Sequence, residues 1–371
     1  MAAAKTIGDY LIQRLYAHGV RHVFGVPGDY ALSFFHELES SDLQVINTCD
    51  EQGAGFAADA YARVKGLGVV CVTYCVGGLK VANTTAQAFA EKSPVVVISG
   101  APGTNERIKS PLLHHKVRDF DTQLKVFEQI TVASTALDNP ETACRKIDRV
   151  IDAALHHKRP VYIEIPRNMV SATAIPYSLP RETPPPQDVN TLKEALLEAS
   201  NIINKSKKPA IIAGIEMHRF GIQDDLLQFI ENTQIPVAAS PLSKSVISEH
   251  HPLYMGIYEG AIGRDDVRDY IESSDCLILL GTFMTDINLG MFTAHIDQSR
   301  SIYSTSEKLY IHYHAYENVS LADFLKGLLQ ININRRVAGD IPHPEPLQPL
   351  KPVAGNKITV KYLFQRLNTF L

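Results

Sequence analysis

Phe24-Gly25-Val26-Pro27-Gly28-Asp29 and Asp50-Glu51-Gln52-Gly53-Ala54-Gly55-Phe56-Ala57-Ala58-Asp59-Ala60-Tyr61-Ala62-Arg63 decide the fold. Each follows a short apolar run and opens a helical pattern. That order places an acid at the carboxyl end of a buried strand, where open α/β sheets hold ligands. Outward from these segments, apolar runs at 21–26, 43–49, 68–74, 94–99 and 160–165 alternate with helical stretches near 30–40, 51–65, 78–91 and 140–157. Several runs are continuous in Val and Ile, as parallel strands covered on both faces require. Upstream, Thr6-Ile7-Gly8-Asp9 has the form of a capping box, and Gly19 supplies a helix stop. The pattern predicts a doubly wound α/β domain.

Residues 176–187 read Pro-Tyr-Ser-Leu-Pro-Arg-Glu-Thr-Pro-Pro-Pro-Gln. Three consecutive prolines fit neither a helix nor a central strand, so an extended tether is expected over 176–189. Domain one then occupies 1–175. A second α/β domain is expected over 190–332, with helices at 190–205, 222–232 and 320–329 and strands at 208–214, 236–239 and 276–280. Its sheet is likewise read as doubly wound and parallel. Residues 333–371 form a proline-bearing segment followed by a short helix from 357.

The 371 residues are 45% hydrophobic and 20% charged, an ordinary globular balance with ample core. A net charge of -4 gives no electrostatic reason to expect nucleic acid or an anionic membrane as partner. Cys49, Cys71, Cys75, Cys144 and Cys276 have neither metal-site nor secreted-disulfide spacing. The first residues lack the apolar core of a signal peptide, and no apolar run nears the roughly 20 residues of a membrane span. A reducing, cytoplasmic setting is the default expectation.

Several residues carry possible chemistry, each beside a plain structural role. Asp50 and Glu51 have the form of an N-cap and a first-turn acid, stabilised by the helix dipole. Asp29, after Pro27-Gly28, could be another cap. His114-His115 and His156-His157 look alike in isolation; the latter sits at a helix end where the macrodipole explains it. Adjacent residues on a helix point apart, so neither pair is read as a metal site. His250-His251, His312 and His314 are expected on the surface. Val76-Gly77-Gly78 at a helix start could hold an anion through its amides, but it lacks a nucleotide-loop spacing.

Taken in order and spacing, the two opening segments resemble thiamine-diphosphate-dependent 2-oxo acid decarboxylases. Val76-Gly77-Gly78, Ser99-Gly100-Ala101-Pro102-Gly103, His114-His115 and Arg159-Pro160-Val161-Tyr162-Ile163-Glu164-Ile165-Pro166 extend the likeness. Asp119-Phe120-Asp121-Thr122-Gln123 is most similar to the phenylpyruvate and indolepyruvate branch, with pyruvate decarboxylases close behind. The resemblance implies a pyrimidine-binding domain over 1–175 and a central domain over 190–332. It implies that Glu51 hydrogen-bonds the aminopyrimidine from an apolar wall, with a raised pKa. Asp29, His114 and His115 would form a proton relay, and 73–77, including Thr73, Val76 and Gly77, a backbone wall beside the ring. Phe283 and Asp286, in Leu280-Gly281-Thr282-Phe283-Met284-Thr285-Asp286, would lie near the substrate.

The same resemblance implies thiamine diphosphate and Mg²⁺ as cofactors, a small 2-oxo acid as substrate, and a homodimer or homotetramer. The family grips the metal and diphosphate with Gly-Asp-Gly followed by Asn. Here the Gly-Asp pairs are Gly28-Asp29 and Gly339-Asp340, neither followed by glycine. The chain is therefore expected to stop just inside that third domain and to be inactive alone. Two other readings stay open: an acetolactate-synthase-like transferase, against which the histidine pair argues, and a non-catalytic subunit pairing with an intact homologue.

Overall fold

The computed structural model describes residues 5–175, 177, 188–337, 339–344, 350–351, 353–355 and 357–370. The chain divides into two compact units, the first built on β1–β6 and the second on β7–β13.

In the first unit, α1 (Ile7–Ala17), β1 (His22–Gly25), α2 (Leu32–Glu39), β2 (Gln44–Asn47), α3 (Glu51–Lys65), β3 (Gly68–Val72), α4 (Ala82–Ala90) and β4 (Val95–Ala101) lead to α5 (Thr122–Glu128), β5 (Ala133–Ala136), α6 (Pro140–His157) and β6 (Val161–Pro166). All five strand expectations and all four helix expectations find their elements, while β5 and α5 were not anticipated. The six strands pair in parallel in the order β2-β1-β3-β4-β6-β5.

The continuous apolar runs serve two cores at once. In β3, Val69 and Cys71 face a cluster with Ile7, Leu11, Phe34 and Ile147, while Val70 and Val72 face a second with Ala54, Ala58, Val81 and Phe127. β4 and β6 divide in the same way. Each fully buried Val or Ile contributes roughly 1.5–3 kcal/mol before entropy is counted. The expected capping box is half formed. Thr6 Oγ1 accepts from the Asp9 amide at 3.0 Å, but the Asp9 side chain reaches the Lys5 amide rather than Thr6.

The second unit runs α7 (Val189–Lys205), β7 (Pro209–Ala213), α8 (Glu216–Arg219, of which Glu216 and Met217 belong to this unit), α9 (Gln223–Thr233), β8 (Val237–Ala239), β9 (Tyr254–Ile257), α10 (Asp265–Glu272) and β10 (Cys276–Leu280). It continues through β11 (Ser301–Ser304), β12 (Leu309–Ile311), β13 (His314–Tyr316), α11 (Leu321–Gln330) and α12 (Val360–Phe370). The sheet order is β13-β12-β11-β10-β7-β8-β9. Five strands are parallel, but β12 and β13 add antiparallel to one edge, so the sheet is mixed rather than purely parallel. His312 lies in the β12–β13 turn with φ 53°, not on a strand with His314. His250 is exposed, whereas His251 is largely covered, with Nε2 3.9 Å from Glu231. No described helix is long and apolar enough to cross a membrane. Of the expected tether, only Tyr177, Asp188 and Val189 are among the described residues.

Candidate active site

The first sheet reverses its strand order between β1 and β3, the position where open α/β sheets form a ligand crevice. The segments after these strands meet there. A Cβ on Gly28 would lie 2.5 Å from Thr73 Cβ, so glycine is what lets the chain after β1 close onto the end of β3. The next residue, Asp29, then receives a hydrogen bond from Thr73 Oγ1 at 3.4 Å through Oδ1. Its other oxygen, Oδ2, contacts His114 Nε2.

His114 and His115 occupy a turn between β4 and α5, not a helix. His115 has φ 65°, in the left-handed region, and this folds its ring back on its neighbour: the centroids lie 4.8 Å apart at 65°. The premise that adjacent residues point apart therefore fails here. Asp29, His114 and His115 each offer a ligand atom, all within 4.8 Å of one another. Tyr30, a buried residue, stacks on His114 at 4.8 Å, with its hydroxyl 3.2 Å from Nδ1 and 3.4 Å from the His114 carbonyl, to which it donates. Desolvation pushes the Asp29 carboxyl up, but the hydrogen bond and charge of His114 outweigh it and hold Asp29 below the ordinary aspartate value. His156 and His157 show a similar edge contact, 4.7 Å at 81°, in the last turn of α6.

Glu51 opens α3, one strand further along the same sheet edge, behind the N-cap Asp50, whose Oδ1 accepts from the Gly53 amide at 2.7 Å. It does not stand in an apolar wall. Lys80, in the 3₁₀ turn Leu79–Val81, reaches Glu51 Oε2 at 3.1 Å and Asp50 Oδ2 at 3.3 Å. The N-cap and the first-turn acid attract one ammonium group, which sequence spacing did not reveal. The Glu51 side chain is 18% exposed. A largely covered carboxylate already facing a cationic N–H donor suits, in kind, an aminopyrimidine protonated at its ring nitrogen. Lys80 would have to yield its place.

Four amides after Thr73, those of Val76 and Gly78 among them, are bonded within the protein, against the anion-cradle reading. Val76 N bonds Tyr74 O, Gly78 N bonds Thr73 O, Leu79 N bonds Cys75 O, and Cys75 N donates to Gln123 Oε1 at 2.6 Å. A Cβ on Gly78 would sit 2.1 Å from that same Gln123 oxygen. Gly78 thus fits the turn to Gln123, while Gly77 lies against Thr73. Val76 is exposed and Gly77 buried. Gln123 continues into a buried polar chain, donating to Ser99 Oγ (2.8 Å) and Tyr162 Oη (2.5 Å). Tyr162 donates to Glu164 Oε2 (3.1 Å), whose Oε1 pairs with Arg107 at 2.9 Å. Burial raises the Glu164 carboxyl, and Arg107 works against that rise. Arg107 begins the segment that carries the histidines.

Lys80, Tyr30, Gln123 and the Arg107–Glu164 pair were not singled out from sequence. A lone acid inside the Val/Ile run 161–165 was the one available signal. In the second unit, Phe283 is half-buried and Asp286 exposed, both on the loop after β10. Asn288 Nδ2 donates to the Phe283 carbonyl at 2.8 Å, and the Asp286 carbonyl accepts from Met291 N. Cys71, Cys75, Cys144 and Cys276 are buried; desolvation pushes the Cys276 thiol up to about 12, which leaves it inert as a nucleophile.

Residues 5–124 match the sequence profile of the thiamine pyrophosphate enzyme N-terminal TPP binding domain, and residues 196–330 that family's central domain. An indole-3-pyruvate decarboxylase of Azospirillum brasilense is 36% identical over 345 residues, covering 92% of this chain and 63% of the relative. A putative pyruvate decarboxylase of Schizosaccharomyces pombe is 31% identical over 98% of the chain and 66% of its own length. Pyruvate decarboxylase 1 of Pisum sativum is 31% identical over 99% and 64%. The chain thus spans a little under two thirds of the length of these relatives. With both domain profiles matched in order along two parallel-dominated sheets, the chain belongs to the thiamine pyrophosphate enzymes and carries their N-terminal and central domains.

Proposed function

We propose that this chain supplies the pyrimidine-side half of a non-oxidative 2-oxo acid decarboxylase site, a carboxy-lyase that yields an aldehyde and carbon dioxide. The observation that carries the reading is the junction of Asp29, His114 and His115 beside Thr73, built from segments 85 residues apart at the sheet's switch point. Bound thiamine diphosphate would supply the carbon nucleophile and the electron sink for loss of carbon dioxide. Glu51, once released by Lys80, would share a proton with the ring nitrogen of the aminopyrimidine and so favour its imino tautomer. Asp29 and His114 share a proton across their contact, and His115, turned back over His114, can hand a proton to or from a small acid at the mouth. Thr73 and Tyr30 fix the two members of that couple.

The domains are assigned as 1–175 for pyrimidine binding and 190–332 as central, with Phe283 and Asp286 as substrate-side contributors. Ligands for Mg²⁺ and the diphosphate come from outside residues 1–371, so the chain by itself should turn over little substrate. A cytoplasmic, dimeric or tetrameric enzyme acting on indolepyruvate, phenylpyruvate or pyruvate completes the reading.

The test is complementation. A full-length relative, inactivated by Glu→Gln at the position matching Glu51, is mixed with this chain, thiamine diphosphate and Mg²⁺, and aldehyde is measured. Activity should appear in the mixture, be small for either component alone, and vanish with Glu51→Gln or Asp29→Asn in this chain. Turnover that survives Glu51→Gln defeats the proposal. Acetolactate in place of aldehyde from pyruvate transfers it to the carboligating class.

A further inference from the structure

The Asp29–His114 contact poses a charge problem that a proton is not alone in solving. Tyr30 donates its hydroxyl hydrogen to the His114 carbonyl, which leaves its oxygen to accept from Nδ1–H. An imidazole protonated at Nδ1 and otherwise neutral turns the Nε2 lone pair toward the Asp29 carboxylate. Two lone pairs then face each other unless a cation lies between them. His115, folded back by its left-handed backbone, brings a third donor to the same point.

We infer that Asp29, His114 and His115 form a binding site for a borderline divalent cation of the Zn²⁺ class. Two imidazole nitrogens and one carboxylate oxygen suit Zn²⁺, Co²⁺ or Ni²⁺, and not the all-oxygen preference of Mg²⁺ or Ca²⁺. At metal–ligand bonds of roughly 2.0–2.2 Å, neighbouring ligand atoms stand roughly 3–3.5 Å apart. The three donors already lie within 4.8 Å, so rotation of side chains closes the set without moving the sheet. The ligands have outer partners that orient them. Thr73 occupies Asp29 Oδ1 and leaves Oδ2 for the ion, while the buried Tyr30 ring fixes the plane of His114. The His114 and Asp29 side chains are 59% and 40% exposed, so water can fill the remaining coordination positions. The site stands independently of the decarboxylase reading. If that reading holds, the ion would sit on the proton couple and block it.

Co²⁺ is titrated into the 371-residue chain, stripped with chelator and desalted, and followed by its visible absorption; Zn²⁺ displacement is measured by calorimetry. Thiamine diphosphate is omitted. One Co²⁺ equivalent should bind, be displaced by Zn²⁺, and resist a large excess of Mg²⁺. His114→Ala and His115→Ala should abolish it. Tyr30→Phe, which keeps the ring, should weaken it about tenfold, as loss of an outer partner does. The double change His156→Ala with His157→Ala should leave it intact. No Co²⁺ band, a band unchanged in His114→Ala, or a band lost only in the 156/157 variant would overturn the assignment. Since no thiamine is present, failure here leaves the complementation result unaffected.

Discussion

Between β1 and β3 the first sheet reverses and presents an exposed aspartate against a histidine pair; between β7 and β10 the second sheet reverses and presents backbone. There the loops touch. A Cβ on Gly214 would lie 2.0 Å from the Gly281 carbonyl oxygen, Gly214 N bonds Leu280 O, and Gly281 N bonds Ser304 O. The acid nearest this second reversal, Glu216, is fully buried and receives hydrogen bonds from Ser306 N (2.8 Å) and Oγ (2.6 Å). Asp29 and Glu51 instead meet nitrogen-bearing side chains, His114 and Lys80. One winding pattern therefore yields either a site or a plug. What decides is whether loop backbone or ionisable side chains occupy the crevice.

The contrast can be broken by mutation, beginning beneath the open site. Glu164→Ala leaves the largely covered Arg107 guanidinium without its carboxylate and should cost about 3–5 kcal/mol in urea unfolding. A loss below about 1 kcal/mol would mean that the histidine segment is not anchored there. At the plugged reversal, Gly214→Ala forces a methyl group into the Gly281 carbonyl and should cost about 3 kcal/mol.

The two kinds of acid should then separate. Glu216→Ala removes two hydrogen bonds to a carboxylate and should cost about 1.5–3 kcal/mol, whereas Glu51→Gln disturbs one ion pair whose lysine is exposed and should stay within about 1 kcal/mol. Equal losses would erase the distinction between plug and site. The smallest effect concerns acid. Because folded Asp29 lies below the 3.8 of an ordinary aspartate, its contribution is present above that value and is lost as pH falls through the folded pKa. Asp29→Asn should be less stable than wild type at neutral pH, and the gap should close on acidification. For a carboxylate this exposed the gap is small. A gap that widens in acid would reverse the assigned sign.

Much of this was legible in the chain, because parallel strands covered on both faces write themselves as unbroken Val/Ile runs. β3, β4 and β6 are of that kind. β5 is Ala-Ser-Thr-Ala at a sheet edge, with too little apolar weight to stand out. The β12–β13 hairpin turns through His312 in a left-handed conformation, without the Asn-Gly that announces such turns. At the site, the residue types of Asp29, His114, His115 and Glu51 were readable, but their environments were not. Lys80 meets Glu51 across 29 positions, and Tyr30 meets His114 across 84, through contacts that exist only after folding. The fold of the histidine turn depended on a single torsion at His115, which side-chain type does not encode.

The Arg107–Glu164 pair has a consequence for motion. It rivets the stretch bearing the histidines to β6, and Tyr74 adds a second fastening by donating to the Phe120 carbonyl at 3.2 Å. Amide hydrogens flanking His114 should accordingly exchange with the sheet and not ahead of it. Under the proposed decarboxylase reading, this stretch would behave as a fixed bench on which reactants are placed. Any gate that admits them would then lie away from this stretch.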